Sequence, residues 1–137
     1  MLQEVPAVLR RMVETRAGQR CKYCWLPQKF AAHRHEPDHI VPIQHGGTTD
    51  KENLALACFR CNCYKGPNVG SFDPNTGRLT AFFHPRRDRW NEHFELRDAE
   101  ILPLTPEGRA TVKILRLNDE ERMIDRKRLI DLGLFFL

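Results

Sequence analysis

Four cysteines stand in two pairs of one spacing, Cys21-Lys22-Tyr23-Cys24 and Cys58-Phe59-Arg60-Cys61. A two-residue spacer lets two thiolates converge on one ion, and four thiolates complete the tetrahedral shell of structural Zn²⁺. Residues 25–57 separate the pairs, more than in a generic zinc ribbon, so a folded insert is expected between them. A thioredoxin-like redox role needs one such pair in a βαβ context, which this sequence lacks. Cys63 is left over and is expected to be a free thiol.

The insert and its edge carry a second group of chemically able residues. These are Asp38-His39-Ile40-Val41-Pro42, Gly46-Gly47, Asn53-Leu54, and then Asn62 and Lys65. Phosphodiester hydrolysis needs a base for water, a cation on the scissile phosphate and stabilisation of the leaving oxygen. An imidazole with an ordinary pKa near 6.5 suits His39 to the base's part. Asp38 and Asn62 are hard oxygen donors, so Mg²⁺ or Mn²⁺ fits them better than catalytic Zn²⁺. Asn53 is placed to bond the imidazole and fix its tautomer. Lys65 is either a counter-charge for phosphate or a solvated cation at a helix end. On a strand Asp38 and His39 point to opposite faces, so the strand must bend or end there, as Pro42 and the Gly-Gly turn permit.

The order Cys-x-x-Cys, DHIVP, GG, NL, Cys-x-x-Cys-Asn, Lys-Gly resembles the HNH endonuclease family, in its zinc-knuckle, stand-alone bacterial subgroup, over residues 21–66. The resemblance implies an α+β fold built on a ββα-metal core (HNH, His-Me finger) with a four-cysteine structural zinc site. It implies that Asp38, His39 and Asn62 surround the catalytic metal, with His39 the general base and Asn53 its orienting residue. The third family position, often a second histidine, is Asn62 here. The stretch VETRAGQRCKYC is similar to the lead-in helix of free-standing bacterial HNH proteins. The stretch from Phe83 to Phe94, with GRATVKILRLN after it, is similar to the tail of a subgroup of small HNH proteins.

Several elements must position these residues. Val5, Leu9, Met12 and Val13 recur at helical spacing and predict an N-terminal helix over 5–17. Residues 30–42 read as extended, 53–57 as a short strand, and a helix follows from Cys58 or Phe59 to Lys65, ended by Gly66-Pro67. Asp73-Pro74-Asn75-Thr76-Gly77 signals a hairpin into a strand at 79–83. Trp90–Phe94 reads as another strand. Thr105-Pro106 opens a helix, and Asn118-Asp119-Glu120-Glu121 reads as a capping box for a last one. The expected organisation is a nuclease core over 1–83 and a C-terminal helical extension over 84–137 packed on the same domain.

The chain has 137 residues, 41% hydrophobic and 29% charged, which excludes a disordered chain and fits one domain. No apolar run is long enough for a membrane span, and the N-terminus reads as no signal peptide, so a cytoplasmic setting is expected. The net charge is +4; residues 1–70 hold ten Lys/Arg against six Asp/Glu and residues 71–137 twelve of each. Four zinc-bound thiolates add about −2 to that, so DNA affinity must come from local patches. Arg86, Arg87 and Arg89 are expected to meet phosphate, unless they pair with Asp88, Glu92 and Glu95 instead. His33 and His35 are expected on solvated strand positions, and His45 beside the glycine turn.

The expectation is therefore a metal-dependent endonuclease cutting DNA, with structural zinc and catalytic Mg²⁺ or Mn²⁺. A lone active site cuts one strand, so clean double-strand cuts would require a homodimer. The rivals are a catalytically silent, zinc-bound nucleic-acid-binding module and an RNA-directed nuclease.

Overall fold

A computed structural model of the protein describes residues 4–137. Helix α1 (Ala7–Arg16) begins after Pro6, which lacks an N–H and whose carbonyl accepts from Arg10 N at 2.9 Å. Its apolar stripe, Leu9, Val13 and Ala17, lies on Leu54 and Leu56. Those leucines belong to β2 (Leu54–Ala57), which pairs antiparallel with β1 (Glu36–His39), setting Asp38 opposite Ala55 and His39 opposite Leu54. Helix α2 (Phe59–Lys65) follows and packs back against β1, completing a ββα unit. The fold is thus α+β and contains the expected ββα unit.

The extended run expected over 30–42 shortens to four residues. Gln28–Phe30 and Ile43–His45 coil into 3₁₀ turns on either side of it. The second turn follows Pro42, whose carbonyl accepts from the N–H groups of His45 and Gly47. His35 is not on a solvated strand position: it is fully buried just before β1, with Nε2 2.8 Å from Leu26 O. His33 is exposed and stacks on Phe59, ring centroids 4.6 Å apart.

The rest of the chain packs on this unit as two more hairpins and two helices. β3 (Gly70–Phe72) and β4 (Leu79–Ala81) flank the expected turn at 73–77. Trp90–Phe94 is not a strand: α3 (Trp90–His93) is one helical turn that buries the indole, and the strand begins only at β5 (Phe94–Arg97). β5 pairs with β6 (Glu100–Pro103). Helix α4 (Pro106–Leu115) starts as expected, with Pro106 at its first position and Thr105 Oγ1 accepting from Gly108 N at 3.0 Å. Helix α5 (Glu120–Asp131) starts without the expected capping box. Asp119 makes no side-chain cap and pairs with Arg116 at 2.8 Å, while the Asn118 amide exchanges two bonds with the Ile101 backbone.

One hydrophobic core joins the two parts of the chain. Cys21, Tyr23, Cys24, Cys58 and Cys61 share it with Phe83, Trp90, Phe94, Ile101 and Leu115. The Trp90 indole N–H donates to Tyr23 O at 2.9 Å, and Phe83 N donates to Thr111 Oγ1 at 2.9 Å. Among the described residues no helix is long and apolar enough to cross a membrane.

Candidate functional site

Cys21, Cys24, Cys58 and Cys61 are buried together, their sulfurs within 4.8 Å of one another. Cys24 Sγ and Cys58 Sγ are 3.7 Å apart, close to the edge of a tetrahedron with metal–sulfur bonds of about 2.3 Å. Each pair folds as a knuckle in which the second cysteine's N–H faces the first one's sulfur, at 3.5 Å for Cys24 and 3.4 Å for Cys61. Burial pushes the Cys21 and Cys61 thiols above their ordinary pKa, whereas bonds from the other three sulfurs pull Cys24 down. Four buried thiolates need cationic compensation, and the donor set fits Zn²⁺. Cys63 is exposed and outside the cluster.

Part of that compensation comes from a residue the sequence reading did not single out. Arg122 of α5 is buried, with Nη2 3.0 Å from Cys61 Sγ and 3.7 Å from Cys58 Sγ. Its Nη1 donates to Leu115 O at 2.7 Å. Burial works against its charge, but the thiols of Cys61, Cys24 and Cys58 outweigh it and hold the guanidinium pKa above its usual value. Nothing in the local sequence marks this arginine among the twelve Lys and Arg residues of 71–137.

Asp38 and His39 sit at the end of β1 and diverge as strand geometry requires. Asp38 is 6% exposed and Lys65 2%. The Lys65 ammonium lies 3.2 Å from Asp38 Oδ2 and donates to His39 O at 3.0 Å. The Tyr23 hydroxyl donates to Asp38 Oδ2 at 3.0 Å. Burial raises the Asp38 pKa; Lys65 and Tyr23 oppose that shift. Lys65 is therefore neither a solvated helix-end cation nor a surface contact for phosphate. It is the buried counter-ion of Asp38, because α2 runs back along β1 and points its last turn inward.

His39 is half-buried, with Nε2 3.0 Å from Thr49 Oγ1. The expected bond from Asn53 to the imidazole is absent. The Asn53 amide instead accepts from Val41 N (2.9 Å) and donates to Val41 O (2.9 Å) and Thr48 O (2.8 Å). It ties together the two ends of the loop that carries Thr49, so its influence on His39 runs through backbone. The glycine pair serves the same closure. Gly46 takes a left-handed conformation (φ 88°), and a Cβ at Gly47 would overlap Val41 O.

Asn62 lies on α2 one turn before Lys65, which puts both on the side facing β1. Its side-chain amide makes no protein hydrogen bond among the described residues. A carboxylate, an amide oxygen and an imidazole suit a hard divalent cation whose remaining positions are water. A carboxylate has about four lone-pair sites, so Tyr23 and Lys65 leave Asp38 room for one more partner. A cavity of about 720 Å³ lies elsewhere, between the cysteines and α5, lined by Phe30, Phe59, Tyr64 and Leu129 but by none of Asp38, His39 or Asn62.

The three arginines of the 84–89 turn carry no ion pair among the described residues. Asp88 accepts from His84 N at 2.9 Å and lies 3.9 Å from His93, and Glu95 pairs with Arg97. His84 Nδ1 accepts from Arg86 N and Arg87 N, and burial and Arg87 lower its pKa, in keeping with a neutral ring. The competing ion-pair network expected for Arg86, Arg87 and Arg89 does not form. His45 Nε2 lies 3.1 Å from Pro67 O.

The sequence profile of the HNH endonuclease family matches residues 21–67. A 52-residue stretch is 44% identical to the CRISPR-associated endonuclease Cas9 of Corynebacterium diphtheriae, covering 37% of this chain and 5% of that protein. No solved structure matches the chain.

Proposed function

We propose that the protein hydrolyses DNA phosphodiester bonds, since residues 21–67 match the HNH endonuclease family and carry a four-cysteine cluster. His39 is the general base, and Asp38 and Asn62 hold a catalytic Mg²⁺ or Mn²⁺. The cysteines hold a separate structural Zn²⁺, and Asn53 holds the loop that presents Thr49. The observation that carries the reading is the arrangement at the end of β1: a half-buried imidazole braced by Thr49 beside a buried carboxylate locked by Lys65 and Tyr23.

With its proton on Nε2 and donated to Thr49, the His39 ring keeps a lone pair on Nδ1. That lone pair takes the proton from water as it attacks phosphorus. Lys65 keeps Asp38 ionised against the cost of burial, so that it remains a ligand at neutral pH. A bound divalent cation supplies positive charge to the scissile phosphate and its leaving oxygen. Asn62 orients an amide oxygen toward the same place from α2.

The test is cleavage of supercoiled plasmid, single-stranded DNA and RNA with Mg²⁺, Mn²⁺ or chelator. The expected result is DNA cutting that needs metal and falls on the order of 10²–10⁴-fold in His39→Ala. Full activity in chelator, or in His39→Ala, would overturn the mechanism. Cleavage of RNA alone would reassign the substrate, and binding with no cleavage of any substrate would leave a nucleic-acid-binding module.

A further inference from the structure

We propose that Arg16 and Lys22, continued by Arg86, form a phosphate-contacting track along the outer edge of β2, and that its partner is the backbone of duplex DNA led toward His39. This rests on the DNA-cleaving reading above and adds residues to it that lie before and within the first knuckle.

β2 pairs with β1 along one edge and presents its carbonyls outward on the other. Arg16 bonds two carbonyls there, Lys51 O at 2.7 Å and Leu54 O. Lys22 N donates to Leu56 O at 2.8 Å. Leu54 and Leu56 are alternate residues of one strand, so the Arg16 guanidinium and the Lys22 backbone are anchored about 7 Å apart along it. Arg86 lies close enough to both for its positive charge to act on Arg16 and on Lys22. The track begins at the His39 end of the hairpin: Leu54 is paired with His39, and Lys51 is two residues past Thr49.

These cations form no ion pair. Among the described residues Arg16, Lys22 and Arg86 take part in no salt bridge, whereas Arg10, Arg34, Arg60, Arg97, Arg109, Arg116 and Lys127 all do. Arg16 spends its guanidinium on neutral carbonyls and keeps its full charge. Lys22 rests 4.7 Å above the Trp25 ring. Burial and the nearby charge of Arg86 both lower the Arg16 pKa, with Glu52 opposing them. A row of unneutralised like charges is unfavourable within the fold and becomes favourable when a polyanion lies on it. Side chains anchored on a strand edge, with no helix to enter a groove, meet phosphates rather than base edges.

The experiment measures binding of the full chain, in the cleavage-deficient His39→Ala background, to a random 20-base-pair duplex over a salt series. Replacing both Lys22 and Arg86 with Gln is the main test, since neither side chain donates a hydrogen bond among the described residues. The slope of log K against log salt should become shallower by about 1.8. Arg16→Gln should flatten it by about 0.9, with its melting temperature recorded because the carbonyl bonds are lost too. Lys113→Gln, on the exposed side of α4, should leave the slope unchanged. Salt-dependent binding whose slope is untouched by the double substitution would overturn the track and leave the DNA reading standing. Absence of salt-dependent duplex binding by the parent protein would overturn both.

Discussion

The Tyr23 hydroxyl donates a 3.0 Å hydrogen bond to Asp38 Oδ2, so a residue inside the first cysteine knuckle touches the carboxylate beside His39. The same residue accepts the Trp90 indole N–H on its carbonyl. The first cysteine knuckle, the Asp38–His39 end of β1 and the C-terminal part of the chain therefore meet at one residue that is 1% exposed.

Tyr23→Phe keeps the ring and removes only the hydroxyl. A hydrogen bond to a charged group contributes about 1.5–3 kcal/mol. Asp38, already raised by burial, should titrate higher still. The expected outcome is an acid limb of the pH–activity profile moved upward and a roughly tenfold greater Mg²⁺ requirement, with zinc content unchanged. A profile and metal requirement equal to the parent's would refute the coupling.

Lys65→Met leaves a buried carboxylate without its counter-ion. Breaking a buried pair by removing one partner costs about 3–5 kcal/mol, whereas replacing both partners is often close to neutral. In urea melts the single variant should lose most of that stability. Lys65→Met combined with Asp38→Asn should recover much of it while remaining inactive. Equal destabilisation by the single and the double variant would contradict the pairing.

Arg122→Gln should leave the four cysteines in place but expose their sulfurs' charge. Loss of a partner to metal ligands typically costs 10–100-fold in metal affinity. Competition with a chromogenic chelator should show zinc released at correspondingly lower chelator concentration. Arg128→Gln, on the exposed side of the same helix, should behave as the parent. Equal zinc retention by Arg122→Gln would remove this arginine from the account.

Asp73 is buried at the β3–β4 turn and takes a two-pronged bond from Arg109, Nε to Oδ1 at 2.8 Å and Nη2 to Oδ2 at 2.9 Å. Arg109, assisted by Asn75 N and Thr76 Oγ1 and opposed by desolvation, holds its carboxyl well below the usual carboxylate range. The unfolded state then binds a proton first as pH falls. The stabilisation is complete above the ordinary Asp pKa of about 3.9 and is lost as pH drops through the depressed folded value. The melting-temperature gap between the parent and Asp73→Asn should be wide at pH 7 and narrow toward pH 2. A gap independent of pH would exclude this carboxylate as its source.

The local signals were legible where chain-neighbouring chemistry sets the outcome. The two knuckles, the Asp38-His39 strand end, the Asp73–Gly77 turn and the Thr105-Pro106 helix start all depend on residues close in sequence. The misses depend on distant partners. Lys65 reads as a solvated helix end until α2 folds back on β1. Asn53 reads as an imidazole partner until the Gly47 approach brings Val41 O to its amide. The β5–β6 hairpin has no glycine in its turn: Asp98 takes the left-handed conformation itself, at φ 53°, so the usual punctuation is missing. Thr49 is one threonine among several until the loop closes over His39.

The guanidinium that α5 sets against Cys61 has a bearing on how the segment that matches the HNH profile can be moved between proteins. The matched stretch ends at residue 67, yet the cation on its sulfurs comes from position 122 and the indole over its knuckle from position 90. Cut out and grafted alone, residues 21–67 would carry a metal–thiolate centre with about two surplus negative charges and one bare flank. Any scaffold that accepts the cassette must bring a buried arginine and an aromatic lid of its own, and a recipient lacking them should yield an insert that binds zinc poorly before it fails at catalysis.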